Sequence, residues 1–192
     1  MAIATATQIY TAEDYLASEV QSDSRHEFRH GEIVEMTGRT PEHNEITRMF
    51  VFLLTAALRK QAYSIFFTDQ RVWIPEVNLY TYPDAMITPK PLELKPGRND
   101  TVVNPLLIAE TLSQSTQNYD RGDKFAAYRT LESLQEYVLI DQYRPQVDHY
   151  AKQSAHQWLL TTYRGLEARF KLAAVEVEIA LADLYEAVEF ED

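Results

Sequence analysis

Glu110 interrupts an apolar run, Pro105-Leu-Leu-Ile-Ala-Glu-Thr-Leu112, that reads as a central strand surfacing at its C-terminal end. Side chains alternate along a strand, so Leu106, Ile108, Glu110 and Leu112 share one core-facing row. A carboxylate there is costly unless a cation, a metal ion or hydrogen-bond donors meet it. In the next segment Lys124, Ala127, Tyr128 and Leu131 recur at helical spacing, which puts Lys124 on the apolar stripe. Buried lysine needs a partner. The connection over residues 112–119 is long enough to return this helix over the strand end, where Lys124 meets Glu110 or stays with Asp120, four residues before it. Asp84, after Pro83 in an extended segment, supplies a second carboxylate. Two carboxylates about 4 to 5 Å apart repel by roughly 3 to 4 kcal/mol at an effective dielectric near 20, so one takes a proton or a cation sits between them. Two acids, a main-chain carbonyl and water make the incomplete oxygen site that Mg²⁺ prefers, with room for a phosphate oxygen. Such an ion polarises the phosphate and acidifies a water, while Lys124 orients that water or steadies developing charge. The plainer reading makes Glu110 and Lys124 a buried salt bridge that fixes a helix on a sheet, and Asp84 an ordinary turn acid.

The elements that must position these groups are legible locally. Thr11 caps a helix with Tyr15, Leu16 and Val20 at helical spacing, expected to lie on the sheet as a lid. His30-Gly31 is a two-residue hairpin signal between residues 25–28 and 32–36. Thr40-Pro41-Glu42 opens a helix whose Ile46, Met49, Phe50, Leu53, Leu54, Ala57 and Leu58 form one stripe, ending near Lys60. Strands are expected at residues 64–67, 71–74, 136–140, 146–152 and 157–163, and a strand start or bulge at Asp84. Residues 88–104, rich in proline, read as a surface excursion, residues 120–131 as a helix and residues 181–188 as a closing helix. Strands without regular βαβ alternation point to an α/β (α+β) domain with a mixed sheet flanked by helices and an N-terminal hairpin.

Length and a 45% hydrophobic content suffice for one domain over residues 1–192, with a core at about 10–184. No cysteine is present, which excludes disulfides, thiolate metal sites and cysteine nucleophiles and fits a reducing, cytoplasmic setting. Residues 1–10 have no signal-peptide pattern, and no run reaches membrane-spanning length. Twenty-nine acids against 18 bases argue against a broad nucleic-acid surface. Seven of those acids fall in the base-free segment 172–192, read as a solvated helix face, which leaves 22 against 18 elsewhere and room for a local basic groove.

The combination of Pro83-Asp84, Glu110-Thr-Leu-Ser-Gln-Ser-Thr, Tyr119-Asp-Arg-Gly-Asp-Lys124 with Tyr128, and Glu136-Tyr-Val-Leu-Ile-Asp141 resembles the Uma family of the PD-(D/E)XK restriction-endonuclease-like superfamily. Glu27-Phe-Arg-His-Gly31-Glu32 and His43 also match, and the resemblance spans about residues 10–184. It implies a Mg²⁺- or Mn²⁺-dependent endonuclease acting on nucleic acid, in the first place DNA, and compatible with a homodimer. Asp84 and Glu110 would be the metal ligands, Lys124 the catalytic lysine and Glu27 an accessory acid. The sequence departs from the pattern at Thr111, at Gln114 and at Leu112, where the superfamily's strand lysine would stand, so catalysis rests on Lys124. Four residues have ordinary roles beside the implied ones. Glu27 is equally a partner for a cross-strand cation. His43 reads as a capping or structural histidine, and Tyr119 and Tyr128 as packing. The competing function is a catalytically inactive module that keeps the fold and binds protein or nucleic acid.

Overall fold

A computed structural model describes residues 9–190. In chain order the elements are α1 Ala12–Glu19, β1 His26–Arg29, β2 Glu32–Glu35, α2 Pro41–Ala57, β3 Tyr63–Phe67, β4 Arg71–Ile74, β5 Leu79–Thr81, β6 Ala85–Pro89, β7 Thr101–Val102 and β8 Leu107–Leu112. Then follow α3 Gln117–Tyr119, a π-helical turn Asp120–Lys124, α4 Phe125–Tyr128, β9 Glu136–Asp141, β10 Gln146–Ser154, β11 Gln157–Arg164, β12 Arg169–Leu172, β13 Val177–Ala180 and α5 Leu181–Leu184. The architecture is mixed α+β: a six-stranded sheet ordered β11-β10-β9-β8-β6-β3, a five-stranded sheet ordered β2-β1-β5-β4-β7, and the β12-β13 pair.

The six-stranded sheet is covered on both faces, which explains why β8 is buried along its whole length. Leu107 and Ala109 pack with Ile46, Phe50 and Leu54 of α2 and with Phe170, Ile179 and Leu184. Ile108 and Leu112 pack on the other face with Ala127, Tyr128 and Leu131, and with Val72, Ile74 and Val102 of the smaller sheet. Leu106 precedes the strand and joins the α2 side rather than the expected row. The two sheets are joined by Tyr82-Pro83-Asp84, between β5 and β6, so Asp84 stands at the corner where the chain leaves one sheet for the other. Pro83 lacks the N–H that would continue a ladder, and the strand restarts only at Ala85.

The hairpin turn has both central residues at positive φ, His30 at 52° and Gly31 at 83°, the twist that two-residue hairpins need. α2 is capped as its sequence predicts, with Thr40 Oγ1 accepting from the His43 N–H at 3.2 Å.

Four expectations need correction. The helix that carries Lys124 starts earlier than expected, at Gln117, ends earlier, at Tyr128, and contains the π turn. Thr130 Oγ1 donates to the Ala127 carbonyl at 2.7 Å and so competes with continuation of the ladder. The segment 88–104 is more than an excursion: Thr88 belongs to β6, and Thr101 and Val102 pair in parallel with Arg71 and Val72, fully buried. The acidic end is a strand pair rather than a helix face, with Val177 and Ile179 inward and Glu178 outward by the period of two, and helix only over Leu181–Leu184. Glu191 and Asp192 lie outside the described residues, as do residues 1–8, on which most of the expectation of no signal peptide falls. α1 covers an aromatic cluster on the five-stranded sheet, with Tyr15 5.5 Å from Phe28 and 5.4 Å from Tyr80, and no α1 residue lines the cavity described next, so it is no lid over it.

Candidate active site

Antiparallel pairing of β6 with β8 matches Ala85 to Ala109, and the same register carried one step further sets Asp84 opposite Glu110. The two are clasped reciprocally. The Asp84 backbone N–H donates to Glu110 Oε2 at 3.3 Å, and the Thr111 N–H donates to Asp84 Oδ2 at 2.8 Å. Thr111 turns to the other face, where its hydroxyl meets that of Thr47 on α2 at 2.9 Å. Pairing of β1 with β5 sets Phe28 against Tyr80, and one step along Thr81 donates its hydroxyl to Glu27.

Lys124 reaches three acids at once. Its Nζ lies 2.9 Å from Glu110 Oε1, 3.4 Å from Asp120 Oδ1 and 3.5 Å from Glu27 Oε1. The wide turn that carries it needs an outside partner, because an inserted residue leaves main-chain groups off the helical ladder. Tyr137 of β9 donates its hydroxyl to the Asp120 carbonyl at 3.0 Å and supplies one. Tyr128 Oη donates to Glu110 Oε1 at 2.9 Å, so this tyrosine fixes the carboxylate as well as packing. Asp84 has two cationic or ring neighbours: Arg39, whose Nε is 2.8 Å from Oδ1, and His43, whose Nε2 is 3.0 Å from Oδ2.

These groups line a cavity of about 630 Å³ walled by residues 34–40, by the Ser113-Gln-Ser-Thr turn and by Gln142 and Tyr143. Five carboxylates line it, Glu27, Glu35, Asp84, Glu110 and Asp120, against the permanent cations Arg29, Arg39 and Lys124. The shortage of cations appears in the acids themselves. Burial pushes the Glu110 carboxyl up, to about 8, with the Asp84 and Asp120 charges adding to it against the pull of Lys124. Burial likewise raises Asp120. Burial alone would raise Asp84, but the hydrogen bond from His43 and the charge of Arg39 hold it below the ordinary range. Lys124 would be lowered by burial, yet Glu110, Glu27 and Asp120 keep it well above its usual value and therefore charged. Two neighbouring carboxyls are thus pushed apart, Asp84 downward and Glu110 upward. An ionised Asp84 only accepts, so His43 Nε2 carries the hydrogen; His43 Nδ1 and Gln142 Nε2 are buried without a partner.

The donor set suits a hard divalent cation: two carboxylates and an excess of negative charge, in a cavity with space for water. Among the described residues no three His, Cys, Asp or Glu side chains form a metal-ligating group, so most ligands would come from backbone, water and substrate.

The sequence model of Uma2, described as "Putative restriction endonuclease", matches residues 12–182. The chain belongs to the Uma2 family. It is 38% identical over 177 residues to the uncharacterized protein sll1609 of Synechocystis sp., covering 92% of this chain and 100% of that one. It is also 30% identical to the uncharacterized protein slr1290 of the same organism, over 93% of this chain and 92% of that one. A crystal structure described as "a putative nuclease belonging to DUF820", from Anabaena variabilis, shares the fold with a TM-score of 0.74 at 15% identity, over 91% of this chain and 96% of that one. No helix among the described residues is long and apolar enough to cross a membrane.

In this Uma2 chain the structure brings Asp84, Glu110, Lys124 and Glu27 into one cavity. Lys124 does not choose between Glu110 and Asp120, and Glu27 takes Lys124 as its cation, since its cross-strand neighbour is Val34. His43 contacts Asp84 through its ring besides completing the helix cap through its backbone. Arg39 is the residue that sequence reasoning missed. Its one local signal was its place immediately before the Thr40-Pro41 helix start, which gives no hint that it reaches Asp84.

Proposed function

We propose that this cavity is the active site of a metal-dependent endonuclease that hydrolyses phosphodiester bonds, with DNA as substrate. The observation that carries the reading is the register of β6 on β8, which makes neighbours of two carboxylates that share a cavity with a buried, charged lysine 2.9 Å from one of them. Asp84 and Glu110 are the residues that would hold Mg²⁺ or Mn²⁺, and the ion, when bound, would supply Lewis-acid polarisation of a phosphate oxygen and an acidified water. Glu110 must then give up the proton that its burial favours, so cation and proton compete for it. Lys124 stays protonated, which makes it a fixed positive charge beside the reacting phosphate and excludes it as the general base. Tyr128 and the Asp84 N–H hold the Glu110 carboxylate in one orientation. Glu27 and Asp120 hold the lysine head from the other sides. The test is nicking of supercoiled plasmid by the purified protein with Mg²⁺ or Mn²⁺. Cleavage that disappears in Asp84→Asn and in Glu110→Gln is the expected result, and cleavage that survives both substitutions together would sink the reading.

A further inference from the structure

Three partners hold the Asp84 carboxylate, and they differ in how firmly each is held. The Thr111 N–H is fixed in β8, and His43 sits buried in the first turn of α2. Arg39 belongs to neither. It lies in the irregular stretch of residues 36–40 between β2 and α2, its side chain is 25% exposed, and it approaches Asp84 Oδ1 with two guanidinium nitrogens. Gly38, beside it, has nothing within 4 Å of where a Cβ would stand, so the middle of the turn is held only through its ends, by the Met36 N–H on the Arg25 carbonyl and the Thr40 hydroxyl on Gln142. The carboxylates of Asp84, Glu110 and Asp120 all act on the guanidinium and more than offset its burial. Its charge therefore stands on the carboxylate that a divalent ion would need.

We propose that Arg39 is a displaceable counter-ion and phosphate-binding residue: it neutralises Asp84 while no metal is bound, yields that carboxylate to the divalent cation, and then takes a non-bridging oxygen of the substrate phosphodiester. The proposal rests on the nuclease reading of this site and adds a residue to it. Both halves follow from the chemistry of the group. Two cations cannot share one carboxylate edge without mutual repulsion, so the arriving ion expels the more mobile one. A planar fork of donors released at the cavity mouth matches a phosphate as well as it matched a carboxylate, which a lysine would not do as well.

The test compares the full chain with Arg39→Met and Arg39→Lys. Mn²⁺ alone is titrated calorimetrically, without nucleic acid, and a labelled DNA duplex is then titrated in Ca²⁺ by fluorescence anisotropy. Arg39→Met is expected to bind Mn²⁺ about three- to tenfold more tightly and the duplex about tenfold more weakly, with Arg39→Lys intermediate in both. Thermal melting in the absence of metal checks that the variants fold, and Mn²⁺ should raise the melting temperature of Arg39→Met more than that of the native chain. Native protein that binds Mn²⁺ with Arg39→Met binding it equally or more weakly overturns the role of Arg39 and leaves the metal site standing. Native protein and Arg39→Met that both ignore Mn²⁺ overturn the metal site, and the inference with it.

Discussion

Two buried glutamates stand on adjacent parallel strands and have opposite characters. β8 and β9 pair with Leu107 beside Glu136 and Glu110 beside Leu139, so the two glutamates lie about three residues, or ~10 Å, apart along the same ribbon. Glu136, at the N-terminal end, accepts from the Ala173 N–H at 2.8 Å and the Ala174 N–H at 3.2 Å and meets His149 Nε2 at 3.0 Å. It borders no part of the cavity. Glu110, toward the C-terminal end, shares one lysine with Glu27 and Asp120 and faces open volume. Equal burial thus separates nothing; supply of partners does. A carboxylate satisfied by fixed backbone donors ties the turn after β12 to the sheet, whereas one that competes for a scarce cation is poised to accept another. The position agrees with the tendency of ligands to bind outside the carboxyl ends of parallel strands.

The contrast can be broken most directly at the metal. Glu110→Gln and Asp84→Asn should each lower metal-dependent nicking by about a hundredfold or more and remove the Mn²⁺-induced rise in melting temperature, while Glu136→Gln keeps that rise. A Glu136→Gln protein blind to Mn²⁺, or a Glu110→Gln protein that still responds, would erase the distinction.

A smaller effect is expected from removing the shared cation. Lys124→Met leaves three acids without their common partner and should cost about 3 to 5 kcal/mol in urea denaturation without metal. If the loss were under about 1 kcal/mol, Lys124 would not be what offsets these charges.

Glu136→Gln should cost about 1 to 3 kcal/mol, the penalty for disturbing a buried, satisfied hydrogen-bond set, and by the same amount with and without Mn²⁺. Dependence of that loss on Mn²⁺ would mean that the two glutamates are coupled after all.

The last effect is one of sign. Glu110 is raised from its ordinary 4.5 to about 8, so between those values the folded chain holds a proton that the unfolded chain has released. Its contribution is therefore fully favourable below about pH 4.5 and is lost as pH rises toward 8. Metal-free Glu110→Gln should accordingly gain on the native protein from pH 5 to pH 8 in parallel urea melts. A variant that instead loses ground to the native protein over this range would show that Lys124 outweighs burial at Glu110. Asp84 runs the other way: its folded form is held ionised, so its contribution is present above its unfolded value and lost as pH falls.

Local chemistry made much of this legible. Alternation and β-branching located β3, β4, β9 and β10 within a residue or two, Thr40-Pro41 fixed the start of α2, and Glu110 stood out because a charge in a strand with apolar neighbours on both faces demands a partner. β7 and the β12-β13 pair stayed hidden because two buried residues among prolines, and a strand with glutamates on its wet face, carry little signal until a neighbouring strand pairs with them. The π turn stayed hidden for a related reason, since the Tyr137 hydroxyl that receives its carbonyl comes from another strand.

The sequence by itself determined which residues are charged, which segments are buried, and hence that Glu110 and Lys124 had to find partners. Only the tertiary structure decided who those partners are. The register of β6 on β8 is set by pairing between segments some 25 residues apart, and it alone puts Asp84 beside Glu110. The folding of residues 36–40 over the corner between the two sheets is what places Arg39 on Asp84. Contacts of that span follow from which faces bury together, a property of the packed whole that no local pattern of residues contains.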